Sequence, residues 1–150
     1  MKRKVLVIHG PNLNMLGKRE PEKYGTSTLD EINTNLKTHG NETDIDVHTF
    51  QSNHEGSIVE KIQEARDVFD ALIINPASYT HSSIAIRDAV LLLDIPVVEI
   101  HLSNIYKRES FRHKSILCDV VTGQIAGFGM YGYIMALDAI INIMKAKKSK

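Results

Sequence analysis

Ala71-Leu72-Ile73-Ile74-Asn75-Pro76-Ala77-Ser78-Tyr79-Thr80-His81 changes character within one residue: four apolar side chains in a row, then a burst of polar and reactive ones. A short unbroken apolar run fits a strand buried on both faces, as in a parallel sheet. Val5-Leu6-Val7-Ile8 breaks in the same way into His9-Gly10-Pro11-Asn12-Leu13-Asn14. Val97-Val98 leads into Glu99-Ile100-His101-Leu102-Ser103-Asn104, and the run 119–125 ends at Gly127-Phe128-Gly129. Open parallel sheets bind ligands beyond the carboxyl ends of their strands. If these runs are parallel strands, their polar bursts converge on one cleft.

The segments between the runs carry helical signals. Thr28 with Glu31 three residues on forms a capping box, and Leu29, Ile32 and Leu36 then recur on one helical face. Gly40 is placed to end that helix. Ser57, Ile58, Ile62, Ala65 and Phe69 mark a second amphipathic helix, and 82–93 a third, with Ile84, Ala85, Ala89, Leu92 and Leu93 as its apolar positions. The stretch 131–144 is a final, strongly apolar helix. Strands are expected at 5–8, 45–50, 72–74, 97–100 and 117–121, the last placing Cys118 in the core. Alternating strands and helices favour an α/β fold with both sheet faces covered. Five strands in 150 residues fit one catalytic domain, residues 1–150, with the doubly wound, flavodoxin-like strand order 2-1-3-4-5.

Composition narrows the partners. Charged residues are 24% and the formal net charge is +0, so no basic excess points to nucleic acid. The lysines at 145, 147, 148 and 150 read as a solvated helix end. The single cysteine rules out an internal disulfide, and neither a signal peptide nor an apolar run of roughly 20 residues stands out. The expectation is a cytoplasmic protein that does not enter membranes.

The usual ligands of such a sheet fit poorly. The loop after the first run lacks the Ser, Thr and Gly content of a phosphate cradle, and His9 and Asn75 stand where a phosphoacceptor domain needs aspartates. Arg19 follows Gly17-Lys18 where a Walker A motif needs Ser or Thr for magnesium. Gly127-Phe128-Gly129 lacks the dinucleotide fingerprint. Glu99 and His101 are possible metal ligands, but no third group has convincing spacing, so no metal is expected. What remains is a set of Asn, Tyr, His, Glu and Arg suited to acid–base chemistry on a small, oxygen-rich anion.

The stretch 10–25, with Arg19 and Tyr24 between glycines, is long for a strand-to-helix connection and reads as a lid. Together with Asn75-Pro76-Ala77-Ser78-Tyr79-Thr80-His81-Ser82-Ser83, with Glu99-Ile100-His101-Leu102-Ser103-Asn104-Ile105 and with Arg108-Glu109-Ser110-Phe111-Arg112, it closely resembles type II 3-dehydroquinate dehydratase. Gly123-Gln124-Ile125-Ala126-Gly127-Phe128-Gly129 and Gly132-Tyr133 fit the same family, so the resemblance spans almost the whole chain. It implies a hydro-lyase of the shikimate pathway, at the third step of chorismate biosynthesis. Such an enzyme takes 3-dehydroquinate to 3-dehydroshikimate by anti elimination through an enolate, without metal or cofactor.

The resemblance also implies roles. Tyr24 matches the base, Arg19 and Arg108 its activators, with Arg19 also stabilising the transition state. A free tyrosine, with a pKa of about 10, is a poor base precursor. Bringing it down by about two pH units takes ~2.7 kcal/mol, and one guanidinium at about 4 Å supplies ~4 kcal/mol at an effective dielectric of about 20. Asn12 matches the residue that holds a water against the enolate; taken alone it is equally a turn residue after Pro11. His101 matches the acid that protonates the departing hydroxyl, and Glu99, two residues earlier on the same strand face, its orienting partner. Substrate binding falls to Asn75, His81, the backbone amides of Leu102 and Ser103, and Arg112. Asp88 matches a residue placed at a neighbouring subunit's site, which implies a homododecamer built as a tetramer of trimers. The alternatives are a catalytically silent module of the same fold and a hydro-lyase or isomerase acting on a related cyclic acid.

Overall fold

The computed structural model describes residues 1–18, 20–24 and 26–149, without the side chains of Lys23 and Tyr24. Five parallel strands form one sheet in the order β2-β1-β3-β4-β5: β1 (Arg3–His9), β2 (Ile45–Gln51), β3 (Ala71–Asn75), β4 (Val97–His101) and β5 (Gly123–Ala126). The helices are α1 (Pro21–Tyr24), α2 (Leu29–Glu42), α3 (Glu55–Val68), α4 (Ile84–Leu91) and α5 (Tyr131–Lys148). The expected doubly wound order is thus borne out.

Strand alternation divides the core into two layers. Val5, Val7 and Ile73 face α2 and α5, where Leu36, Tyr133 and Ile140 meet them. Leu6, Ile8, Leu72 and Ile74 face the opposite way, onto Ile58, Ile62 and Ile86 of α3 and α4. Burial of β1 and β3 on both faces explains why their sequences show no polar alternation. The helix starts follow their caps. Thr28 Oγ1 accepts from the Glu31 N–H at 3.2 Å, and Ser83 Oγ from the Ile86 N–H at 3.0 Å.

Four expectations need correction. The fifth strand is Gly123–Ala126, whereas 117–121 turns irregularly beside the sheet. Leu117 is fully buried there, with Val120 and Val121 packed against the α3–α4 layer, so the apolar run serves as cover. Cys118 is accordingly exposed, its thiol meeting the Ser115 carbonyl. Gly40 does not end α2, which runs on to Glu42. Its hydrogen-only side chain admits β2: a Cβ there would lie 2.6 Å from Val47 Cγ2 and 2.8 Å from the Ile45 carbonyl oxygen. Of the apolar positions expected on the third helix, Ile84 and Ala85 on α4 and Leu92 just past its end are exposed, not in the core.

Candidate active site

The carboxyl ends of β1, β3 and β4 deliver the site. Gly10, just beyond β1, packs so closely on the loop after β3 that a Cβ would come within 2.7 Å of the Pro76 carbonyl carbon and oxygen. Its N–H donates to the Asn75 carbonyl at 2.8 Å. Asn12 follows in the left-handed region, φ 68°, a conformation Asn tolerates better than most residues. Its N–H donates to Asn53 Oδ1 at 3.0 Å. Ala77 is also left-handed, φ 51°, and its N–H donates to Asn75 Oδ1 at 3.1 Å. Non-glycine residues in this region are strained, and such strain concentrates at functional sites.

These ends enclose a cavity of about 260 Å³. Asn12, Asn75, His81 and His101 line it. So do Leu102, Ser103, Arg108 and Arg112, so that eight of the twelve expected residues meet at one place. Among the described residues no carboxylate lines it, while two guanidinium groups do, an arrangement that suits an anion. His81 donates through Nδ1 to the Lys114 carbonyl at 2.8 Å, which fixes its tautomer and leaves Nε2 over. Arg112 Nε donates to Glu109 Oε2 at 2.6 Å.

Glu99 lies behind the cavity wall and is fully buried. Its Oε2 accepts from His101 Nε2, from Thr80 Oγ1 at 2.6 Å and from Gln124 Nε2 at 3.1 Å. Ser115 Oγ lies 2.9 and 2.8 Å from its two carboxyl oxygens. Burial pushes the Glu99 carboxyl up, but His101 and the Thr80 and Ser115 hydroxyls outweigh it and hold the group below the usual glutamate range. A carboxylate only accepts, so His101 carries a hydrogen on Nε2 and has Nδ1 left for a ligand. Glu99 and His101 share a strand face, as their spacing implies.

Four expected residues are not among the lining. Glu99 lies behind His101, to which it is hydrogen-bonded. Asp88 is exposed on α4. Arg19 and the Tyr24 side chain lie outside the described residues. Conversely, Thr80, Ser115 and Gln124 were not singled out from the sequence. Thr80 stands inside the polar burst after β3 and Gln124 pairs in register with Glu99, whereas nothing local marks Ser115.

A larger hollow of about 650 Å³ opens elsewhere, beside Ile84, Tyr106 and Cys118. Its lining includes Ser115 and Gln124, the supports of Glu99. No group of three or more His, Cys, Asp or Glu among the described residues is arranged to hold a metal, and no helix among them is long and apolar enough to cross a membrane.

Known proteins are similar to this chain in sequence and in fold. A 3-dehydroquinate dehydratase from Clostridium botulinum (strain Okra) is 54% identical over 144 residues, covering 96% of this chain and 98% of that protein. The crystal structure of a type II dehydroquinase from Propionibacterium acnes superposes with a TM-score of 0.92 at 43% identity, covering 95% of this chain and 98% of that one. The type II dehydroquinase from Butyrivibrio crossotus gives a TM-score of 0.91 at 46% identity, over 93% of this chain and 97% of the other. The family model described as dehydroquinase class II matches residues 3–141, and the chain belongs to that family.

Proposed function

We propose that the protein dehydrates 3-dehydroquinate to 3-dehydroshikimate as a single catalytic domain, residues 1–150. The observation that carries this is the buried Glu99–His101 pair opening onto a small cavity lined by Arg108 and Arg112 and by no described carboxylate. The substrate is a hydroxylated cyclic carboxylate, and its loss of water needs a base at carbon, stabilisation of an enolate and an acid at the leaving oxygen.

Tyr24, as phenolate, takes the proton beside the ketone, with Arg19 and Arg108 lowering its pKa. Arg19 and a water held by Asn12 stabilise the enolate. His101, as the imidazolium, then gives its Nδ1 proton to the departing hydroxyl as the carbon–oxygen bond breaks and returns to the neutral ring with its Nε2–H on Glu99, while the enolate collapses to the conjugated ketone, in an anti elimination. Glu99 holds the imidazole in one tautomer, as the orienting carboxylate of a catalytic triad does. Asn75, His81, Arg112 and the amides of Leu102 and Ser103 bind the carboxylate and ring hydroxyls. These steps use no metal or cofactor. The place in metabolism is the third step of chorismate biosynthesis, in the cytoplasm.

The same reading extends to assembly into a homododecamer, a tetramer of trimers, with Asp88 reaching a neighbour's site. Exposed Ile84, Leu91 and Leu92 flank Asp88, and exposed Tyr106 borders the larger hollow, apolar surface that a neighbouring copy would cover. A copy seated in the hollow would lie against Ser115 and Gln124, and so behind Glu99.

Product formation is read directly from the absorbance of the conjugated enone, with a chelator present. The proposal expects turnover of 3-dehydroquinate by the wild type, and its loss in Tyr24→Phe and Arg19→Ala with the circular dichroism spectrum unchanged. Near-normal rates in either variant would reject its assigned role.

A further inference from the structure

A buried chain of hydrogen bonds runs behind the cavity from β1 to β3 by way of α5. His9 and Asn75 are register partners at the ends of their strands, and both are buried. Tyr133, fully buried on α5, reaches between them: its hydroxyl is 2.9 Å from His9 Nδ1 and 3.1 Å from Asn75 Nδ2. His9 Nε2 lies 2.8 Å from Asn33 Oδ1 on α2, and the Ala77 N–H donates to Asn75 Oδ1 at 3.1 Å.

The chemistry of these atoms allows one direction. The Ala77 amide only donates, so the Asn75 oxygen is turned to it and the Asn75 nitrogen to Tyr133. That nitrogen donates to the phenol oxygen, leaving the phenol's single hydrogen for His9 Nδ1. Nδ1 therefore accepts, and the imidazole hydrogen sits on Nε2, facing Asn33. Burial favours the same neutral ring, taking the His9 pKa down to about 4 against the opposing bond to Asn33. Burial also holds the Tyr133 hydroxyl well above the usual phenol range, with the Asn75 bond opposing. Both groups stay uncharged, so the chain carries orientation and no proton. Of the polar atoms on the Asn75 side chain, one amide hydrogen is left for a ligand in the cavity that Asn75 lines.

We propose that His9 and Tyr133 are positioning residues that lock the Asn75 amide, so that the cavity presents an N–H donor there and selects an oxygen acceptor of a hydroxylated, anionic substrate. This rests on the assignment of Asn75 to substrate binding made above. His9 and Tyr133 touch no substrate themselves and act only through Asn75.

Steady-state kinetics with 3-dehydroquinate for Tyr133→Phe, Asn75→Ala and the double variant tests the chain. Asn75→Ala is expected to raise KM about 10-fold, and Tyr133→Phe about 3-fold or more with kcat within about twofold, as for lost uniform binding. In the Asn75→Ala background, Tyr133→Phe is expected to add nothing. An unchanged KM in Asn75→Ala would remove the binding role of Asn75, and the proposal with it. A raised KM in Asn75→Ala beside an unchanged KM in Tyr133→Phe, or additive effects in the double variant, would overturn the relay alone. Nitrogen-15 NMR of the wild type reads the same chain without any substitution. A neutral Nε2–H tautomer of His9 throughout pH 5 to 8 is expected; an Nδ1–H tautomer, or titration near 6.5, would overturn the proposal.

Discussion

Two histidines end two strands of the same sheet, and their surroundings make them different groups. His9 closes β1 among neutral partners, Asn33 and Tyr133, and burial drives its pKa down to about 4. His101 closes β4 against a buried carboxylate that is itself held ionised by hydroxyl donors. His9 has both nitrogens committed inside the protein, whereas His101 has Nδ1 left over at the cavity. Position in a fold therefore does not make a histidine catalytic. Under the proposed mechanism, a charged orienting partner and one uncommitted nitrogen are what suit His101 to act as the acid.

The largest expected effect breaks the His101 side of the contrast. His101→Ala should lower kcat by about 100-fold or more, the usual worth of a positioned general acid, while the circular dichroism spectrum stays that of the folded wild type. A kcat within twofold of wild type would show that the imidazole does no chemistry. The His9 side has a signature in stability. Its folded pKa lies below the unfolded value, so between pH 6.5 and about 4 the unfolded chain binds a proton that the native ring refuses. Stability should thus fall as pH drops through that window, by about 3 kcal/mol over its length. In His9→Asn this slope should flatten in denaturant titrations; an unaltered slope would place the titrating group elsewhere. Glu99 works in a lower window. Its depressed pKa adds stability above the ordinary glutamate range, and that stability is lost as pH falls through the folded value.

A smaller effect tests the junction beneath both strands. Gly10→Ala would force a methyl group against the Pro76 backbone and should cost about 1–3 kcal/mol of stability, measured by denaturant midpoint. The smallest separates core from surface: Cys118→Ser should change stability by less than about 0.5 kcal/mol, whereas a cysteine buried in a strand would give a larger loss.

Much of this was legible in the sequence because burial on two faces leaves a plain mark. β1 and β3 are built on unbroken runs of Val, Leu and Ile, β4 on Val97, Val98 and Ile100 around Glu99, and Asn75 and His101 stand at the last residues of β3 and β4. The fifth strand was misplaced for the opposite reason. Gly123–Ala126 is a half-buried edge with little β-branched content, while Leu117, Val120 and Val121 bury apolar surface without pairing as a strand. Apolar runs report burial, and pairing is decided elsewhere. The same limit applies at the site. Glu99 and His101 show their spacing locally, but Ser115 reaches Glu99 and Tyr133 reaches His9 only once the chain has folded, across separations of 16 and 124 residues. Gly40 looked like a helix stop because a close approach to a strand leaves the same residue in the sequence as a terminal turn does.

The role given to His101 is tested most directly by a substrate analogue that carries fluorine in place of the departing hydroxyl. Fluoride leaves without needing a proton, so His101→Ala should eliminate it at a rate close to that of the wild type. With 3-dehydroquinate the same variant should remain slower by about 100-fold or more. Equal slowing with both substrates would contradict proton delivery by His101 and leave the Glu99–His101 pair a structural feature.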